Sequence, residues 1–262
     1  MKEKLIIIKI GSHILDDASL MEECLDNFSK IKEKKILILG GGDYATRLSD
    51  KMEVSVQKVE GRRITTKETL EVVTMAYAGK INKSIVTALQ ALGCNGIGLT
   101  GADGNCIQCH KREVTEVDYG FAGDIDNINT ELIESFLNLN LTPVFCAITH
   151  DQKGQLLNTN ADTIASEIAT AFSKHYRVEL KYLSKQKGVL KDMDDKDSVI
   201  LNINEQKFKK LKEENTITGG MLPKIETALK SVLNGVYKIS IGDSSILSDS
   251  KGSYTTIKSI GK

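Results

Sequence analysis

The chain has 262 residues, 40% of them apolar, enough to bury a sizeable core as one large domain or two closely joined ones. Lysine plus arginine and aspartate plus glutamate each number 35, so no net field draws the chain to nucleic acid or an acidic membrane. Small molecules are the expected partners, and residues 1–4 lead into an apolar run too short for a signal peptide or a membrane span, which predicts a cytoplasmic protein.

The first apolar run, residues 5–8, reads as a strand and passes into Lys9, Ile10, Gly11 and Ser12. Leu20, Cys24, Phe28 and Ile31 then recur at helical spacing, and residues 36–39 return to a strand, giving a β-α-β unit and a parallel sheet. That strand ends in Gly40, Gly41 and Gly42, ahead of a helical pattern over residues 44–52. A backbone without Cβ atoms approaches an anion closely, and the unpaired N–H groups of such a turn and helix N-terminus point at it. The same run could be no more than a tight turn. A second junction of the same kind, with Lys9 at its mouth, points instead to a polyphosphate.

Val54, Val56 and Val59 alternate ahead of Gly61 and Ile64, which predicts a hairpin. Thr65 and Glu68 then read as a capping box. Leu70, Val73, Tyr77, Ile81, Ile85 and Leu89 carry one apolar face along a long helix to Gly93, as core or as a dimer seam. The segment Gly96-Ile97-Gly98-Leu99-Thr100-Gly101 matches the dinucleotide fingerprint in letters only. Its glycines alternate with apolar residues along a strand, where the fingerprint needs them in a turn opening a helix. Short alternating runs over residues 105–127 read as hairpins forming a lid or wall. Five cysteines, at 24, 94, 106, 109 and 146, read as reduced packing thiols; Cys106, Cys109 and His110 match a haem-attachment pattern, but with β-like alternation and no export signal.

A helix near residues 130–139 and a strand over 143–148 lead to Asn158, Thr159, Asn160, Ala161 and Asp162, a polar cluster opening another helix. Asn160 is a natural N-cap and Asp162 suits the first turn, so capping alone accounts for the cluster, although it could also hold a ligand. Residues 178–183 form a strand, residues 192–197 an acidic loop that lacks the glycine and terminal glutamate of a calcium loop, and Gly219 and Gly220 open a last helix carrying Lys224.

Six pieces in one order, Lys9 with Gly11, the triple glycine, residues 61–65, residues 118–121, residues 157–162 and residues 219–224, resemble acetylglutamate kinase of the amino acid kinase superfamily over residues 5–241. The resemblance implies an α/β fold, a three-layer α/β/α sandwich on a mostly parallel eight-stranded sheet with a β-hairpin lid. It implies one domain over 1–262, with an N-terminal lobe to about residue 175 for the acylated amino acid and a C-terminal lobe from about 176 for the nucleotide. The activity implied is ATP-dependent phosphorylation, with Mg2+ carried by the ATP, of the γ-carboxylate of N-acetyl-L-glutamate, the second step of arginine biosynthesis. Carried over by position, Lys9 and Lys224 stabilise the transferring phosphoryl group and Asp162 orients both lysines. Gly41, Gly42, Arg63 and Asn158 hold the substrate, and Gly11, Ser12, Gly40 and Gly220 face the phosphates.

This agrees with the chemistry, because a carboxylate is already ionised at neutral pH and needs alignment and charge neutralisation rather than a base. Ser12 departs from the usual second glycine, and Ser184-Lys185 from a usual acidic residue near the nucleotide. N-succinylglutamate and N-acetylaminoadipate stay open as substrates, and a non-catalytic sensor is the rival of another class. In the resembled family, arginine-inhibited members carry an extra N-terminal helix. Only residues 1–4 precede the first strand here, so the expectation is a homodimer, joined through the helix after residue 65, that ignores arginine.

Overall fold

The structure is a computed structural model and describes residues 2–59, 61–217, 221–248 and 253–258. Strand β1 (Lys4–Ile10) is followed by a short helix α1 (Ser12–Leu15), helix α2 (Ala18–Ser29) and strand β2 (Lys34–Leu39), which lies parallel to β1. Leu5, Ile6, Ile7 and Ile8 are at most 2% exposed, the signature of a parallel strand covered on both faces. Helix α3 (Gly42–Lys51) follows the triple glycine, and β3 (Lys58–Val59) with β4 (Arg62–Arg63) makes the predicted hairpin.

The long helix after residue 65 is real but not uniform. It consists of α4 (Lys67–Thr74), a π-helical segment (Met75–Ile81) and α5 (Asn82–Ala91). Its predicted apolar face is buried in the chain's own core, from Val73 and Leu89 at 0% to Ile81 at 8% exposure. The N-cap is displaced by one residue. Thr66, not Thr65, is the N-cap, accepting from the Thr69 N–H at 3.2 Å. Thr65 is drawn into extended pairing, its N–H donating to the Tyr119 carbonyl at 3.0 Å and its carbonyl accepting from the Phe121 N–H at 2.8 Å, so the helix cannot begin until the next residue.

Strand β5 (Gly96–Leu99) holds Gly96 and Gly98 of the false fingerprint in a strand, as read, with Gly101 in the bend beyond it. Next come β6 (Ile107–Lys111), β7 (Gly123–Ile128), α6 (Thr130–Asn138), β8 (Thr142–Phe145), β9 (Ile148–His150) and β10 (Leu156–Asn158). The strand predicted over 143–148 is thus two strands in two sheets, with β9 joining β10, β6 and β7 in a four-stranded sheet. The predicted hairpin insert is half of that sheet, a wall rather than a separate flap.

The chain is completed by α7 (Ala161–Phe172), β11 (Arg177–Leu183), β12 (Asn202–Ile203), α8 (Glu205–Glu213), α9 (Met221–Leu233), β13 (Lys238–Gly242) and β14 (Thr255–Ile257). The main sheet has eight strands in the order β12-β14-β13-β11-β1-β2-β8-β5, all pairs parallel except β13 with β14. Helix α7 packs against β1, β2 and β11 and against α6 and α9, while α2 packs with α5, so helices cover the sheet as a three-layer α/β/α sandwich. All five cysteines are buried and free, as packing thiols.

One buried cation serves the fold alone. Lys35, 8% exposed, donates to the carbonyls of Phe28, Ser29 and Ile31 at 2.9, 2.9 and 2.8 Å, capping the orphan carbonyls at the end of α2. Lys35→Met keeps the stem and removes the donors, so it should cost about 1–3 kcal/mol, read as a lower urea midpoint at unchanged m-value.

Candidate functional site

A pocket of about 310 Å³ lies beyond the carboxyl ends of β1 and β2, where ligands of open parallel sheets bind. Lys9 reaches it from β1, Gly40, Gly41 and Gly42 from the β2–α3 turn, Arg63 from the end of β4, and Asn158 and Asp162 from the β10–α7 junction. Ser12 lines it as well. Six substrate and phosphate residues, together with Lys9 and Asp162, all predicted from separate stretches of sequence, thus share one cavity.

The glycines differ in what requires them. Gly41 has φ +147°, and a Cβ there would stand 2.5 Å from Ile81 Cδ1, so both backbone and packing demand glycine. A Cβ on Gly42 would meet nothing within 4 Å, which means its missing side chain leaves open space in the pocket. Gly11 does not line the cavity. It lies against the His13 ring, with an ideal Cβ 3.0 Å from His13 Nδ1. Gly220 lies outside the described residues.

Asp162 is the electrostatic centre. Its Oδ1 lies 2.7 Å from Lys9 Nζ and its Oδ2 3.4 Å from Lys224 Nζ, with the three side chains 23%, 11% and 16% exposed. Asn160 caps α7, accepting from the N–H groups of Asp162 and Thr163 at 2.8 and 3.1 Å, and so fixes the turn that presents the carboxylate. Burial pushes the Asp162 carboxyl up, but the two ammonium groups outweigh it and hold the pKa down at about 2. Burial lowers the Lys224 pKa, opposed by Asp162 and assisted by Lys9. Lys224 Nζ also stands 5.6 Å from the centre of the Tyr182 ring.

Arg63 is 8% exposed and donates through Nη2 to the Gly42 carbonyl at 2.9 Å and Thr46 Oγ1 at 2.8 Å. Its Nη1 is buried with no hydrogen-bond partner. Asn158 donates through Nδ2 to Thr65 Oγ1 at 3.0 Å. The sequence reading missed Lys58, Arg62, Arg112, Tyr77 and Tyr119, all of which line the pocket. Arg62, next to Arg63, was the most accessible signal; Lys58 and Arg112 read as ordinary surface cations. With Lys9 and Arg63 the lining holds five cations against the carboxylates of Asp43 and Asp162, so the cavity suits a ligand carrying several negative charges.

The chain belongs to the amino acid kinase family, whose sequence model matches residues 4–243. It is 46% identical over 258 residues to the acetylglutamate kinase of Phocaeicola vulgatus, covering 98% of this chain and 100% of that one. With the acetylglutamate kinase of Parabacteroides distasonis it shares 45% over 250 residues, covering 95% and 98%. Among solved structures it resembles smu.665 from Streptococcus mutans UA159, at a TM-score of 0.79 and 26% identity over 97% of this chain and 98% of that one. Carbamate kinase from Giardia lamblia, bound to AMP-PNP, shares the fold at a TM-score of 0.68 and 15% identity, covering 98% and 99%.

The Asp162 bridge makes a prediction about acid. A carboxyl held at about 2, against about 3.9 in an unfolded chain, stabilises the fold fully above about pH 4 and loses that contribution as the pH falls toward 2. Asp162→Asn should therefore reduce the loss of unfolding free energy between pH 5 and pH 2.5 by about 2 kcal/mol, measured by urea titration at each pH.

Proposed function

We propose that this chain is a kinase that transfers the γ-phosphoryl group of ATP to the γ-carboxylate of N-acetyl-L-glutamate, giving ADP and an acyl phosphate. The relatives named above, at 45–46% identity over nearly their whole length, support the reaction and its place in arginine biosynthesis. The observation that carries the site assignment is the Lys9–Asp162–Lys224 bridge at the edge of a cationic, glycine-walled pocket.

In this reading a γ-carboxylate oxygen attacks the γ-phosphorus in line, and the bond from that phosphorus to the bridging oxygen breaks, leaving the electron pair on ADP. No proton has to be removed, because the nucleophile is already ionised. Lys9 and Lys224 neutralise charge on the transferring group, and Asp162 holds the two ammonium groups in place. The buried, unpartnered Nη1 of Arg63 fits the substrate's α-carboxylate. Asn158, its Nδ2 tied to Thr65, keeps its Oδ1 for the substrate's amide N–H. The backbone N–H groups of Gly41 and Gly42 are the ones available to the anions, that of Gly40 being donated to the Ile10 carbonyl at 2.9 Å, and Gly11, Ser12, Gly40 and Gly220 are assigned to the nucleotide phosphates. Magnesium arrives on the nucleotide and shields its phosphates, since the carboxylate between the lysines is already paired with two cations.

The pocket's lining runs from Lys9 to Asp162, which supports an acyl-amino-acid lobe to about residue 175 and a nucleotide lobe beyond it. ATP and a soluble substrate suit the cytoplasm. A homodimer would use the helix after residue 65 through its outward side, where Met75 is 48% exposed and Leu92 41% exposed, because the predicted stripe is spent on the core. Light scattering at twice the chain mass is the expected result.

With Mg-ATP, N-acetylglutamate and hydroxylamine, a hydroxamate should accumulate; none with any acylated glutamate sinks the proposal. Lys9→Ala and Lys224→Ala should each lower kcat by about 10²–10³ with the fold intact, and Arg63→Ala should act chiefly on KM for the acylated substrate.

A further inference from the structure

Tyr77 lies in the pocket wall, 5% exposed, within the π-helical segment Met75–Ile81. An ideal Cβ on Gly41 would stand 3.1 Å from both Cδ1 and Cε1 of its ring, so the ring edge lies flush against the strained turn of the triple glycine. Packing accounts for the ring, and would do so equally for phenylalanine. It does not account for the hydroxyl, because a buried phenol needs a partner.

The polar group beside that hydroxyl is the Arg63 guanidinium. Burial raises the Tyr77 pKa, and the nearby guanidinium pulls it part of the way back. A guanidinium has donors only and no acceptor. It can therefore satisfy the phenol oxygen but not the phenol proton. Arg63 Nη1 has no partner either. Two donors on neighbouring side chains thus border one cavity, and no protein acceptor is hydrogen-bonded to either proton among the described residues. A carboxylate supplies acceptors for both, in the fixed geometry that Arg63 imposes. That the tyrosine is carried on a π-helical segment accords with the recurrence of such segments at functional sites.

We propose that Tyr77 is a specificity residue of the acyl-amino-acid site, its hydroxyl and Arg63 Nη1 together gripping the substrate's α-carboxylate. The inference rests on the function proposed above. The hydroxyl and Arg63 Nη1 together then separate an acylated amino acid with a free α-carboxylate from its α-amide or α-ester, which offer one strong acceptor oxygen where the carboxylate offers two.

Tyr77→Phe keeps the ring against Gly41 and removes only the hydroxyl, so its thermal midpoint should match the wild type. Calorimetric titration with N-acetylglutamate alone should show binding weakened about tenfold to a hundredfold, the value of a hydrogen bond to a charged group. In the hydroxamate assay KM for N-acetylglutamate should rise by the same factor, with KM for ATP within about twofold. The preference of the wild type for N-acetylglutamate over its α-amide should fall accordingly. Binding and preference unchanged in Tyr77→Phe would show a merely packed ring and overturn the proposal. Binding by the wild type without any turnover would sink the kinase reading and leave Tyr77's role to be decided by the variant's affinity, whereas no binding to the wild type would overturn both.

Discussion

Two lysines that would repel each other are held together by one carboxylate, and the proposed active site depends on it. Lys9 comes from the first strand, Asp162 from the first turn of α7 and Lys224 from the first turn of α9, so the bridge joins three elements far apart in sequence. Its support lies one layer down. The fully buried Tyr182 donates its hydroxyl proton to the Asp162 carbonyl at 3.1 Å, shares a 2.6 Å hydrogen bond with Ser166, and offers its ring to Lys224. A carboxylate with its main chain pinned and its oxygens paired loses little entropy when a polyanion enters, and the two ammonium groups are already aimed.

The opposite side of the pocket is built from backbone rather than charge. The segment from Tyr119 to Ala122 is hydrogen-bonded to Thr65 along one edge and to Asn158 and Arg112 along the other, with Asn158 N–H to the Phe121 carbonyl at 2.9 Å and Arg112 N–H to the Ala122 carbonyl at 2.8 Å. Gly120, at φ +66°, is what lets the two chains meet, since a Cβ there would fall 2.2 Å from the Thr65 carbonyl oxygen. One threonine therefore orders both the wall and the Asn158 side chain.

Much of this was legible in the sequence because it depends on local chemistry. Glycine runs between strand and helix, the Asn160 cap and the buried apolar strands all follow from neighbours in the chain. The displaced cap shows where local reading stops. Thr65 and Thr66 are equivalent as capping residues, and only the pairing of Thr65 with Tyr119 and Phe121 decides between them. Tyr77 was hidden for another reason. It occupied an apolar helical stripe, and a stripe at that spacing says nothing about which of its members carries a hydroxyl into a cavity. Lys58, Arg62 and Arg112 look like surface charges until the fold curls the hairpin and the wall around the same space.

The place of β1 in the sheet bears on how the chain is made. It is the fourth strand from the β5 edge, between β11 and β2, and its partner on the β11 side begins at Arg177, paired with Lys4. During synthesis β1 must therefore wait, one edge unpaired, until the chain has been made as far as Arg177 and beyond. Its four consecutive aliphatic residues, Leu5 to Ile8, are the kind of open edge on which chains associate wrongly. Pairings this distant also slow folding. The central strand that gives the finished sheet its continuity is thus an open edge of the nascent chain until β11 arrives.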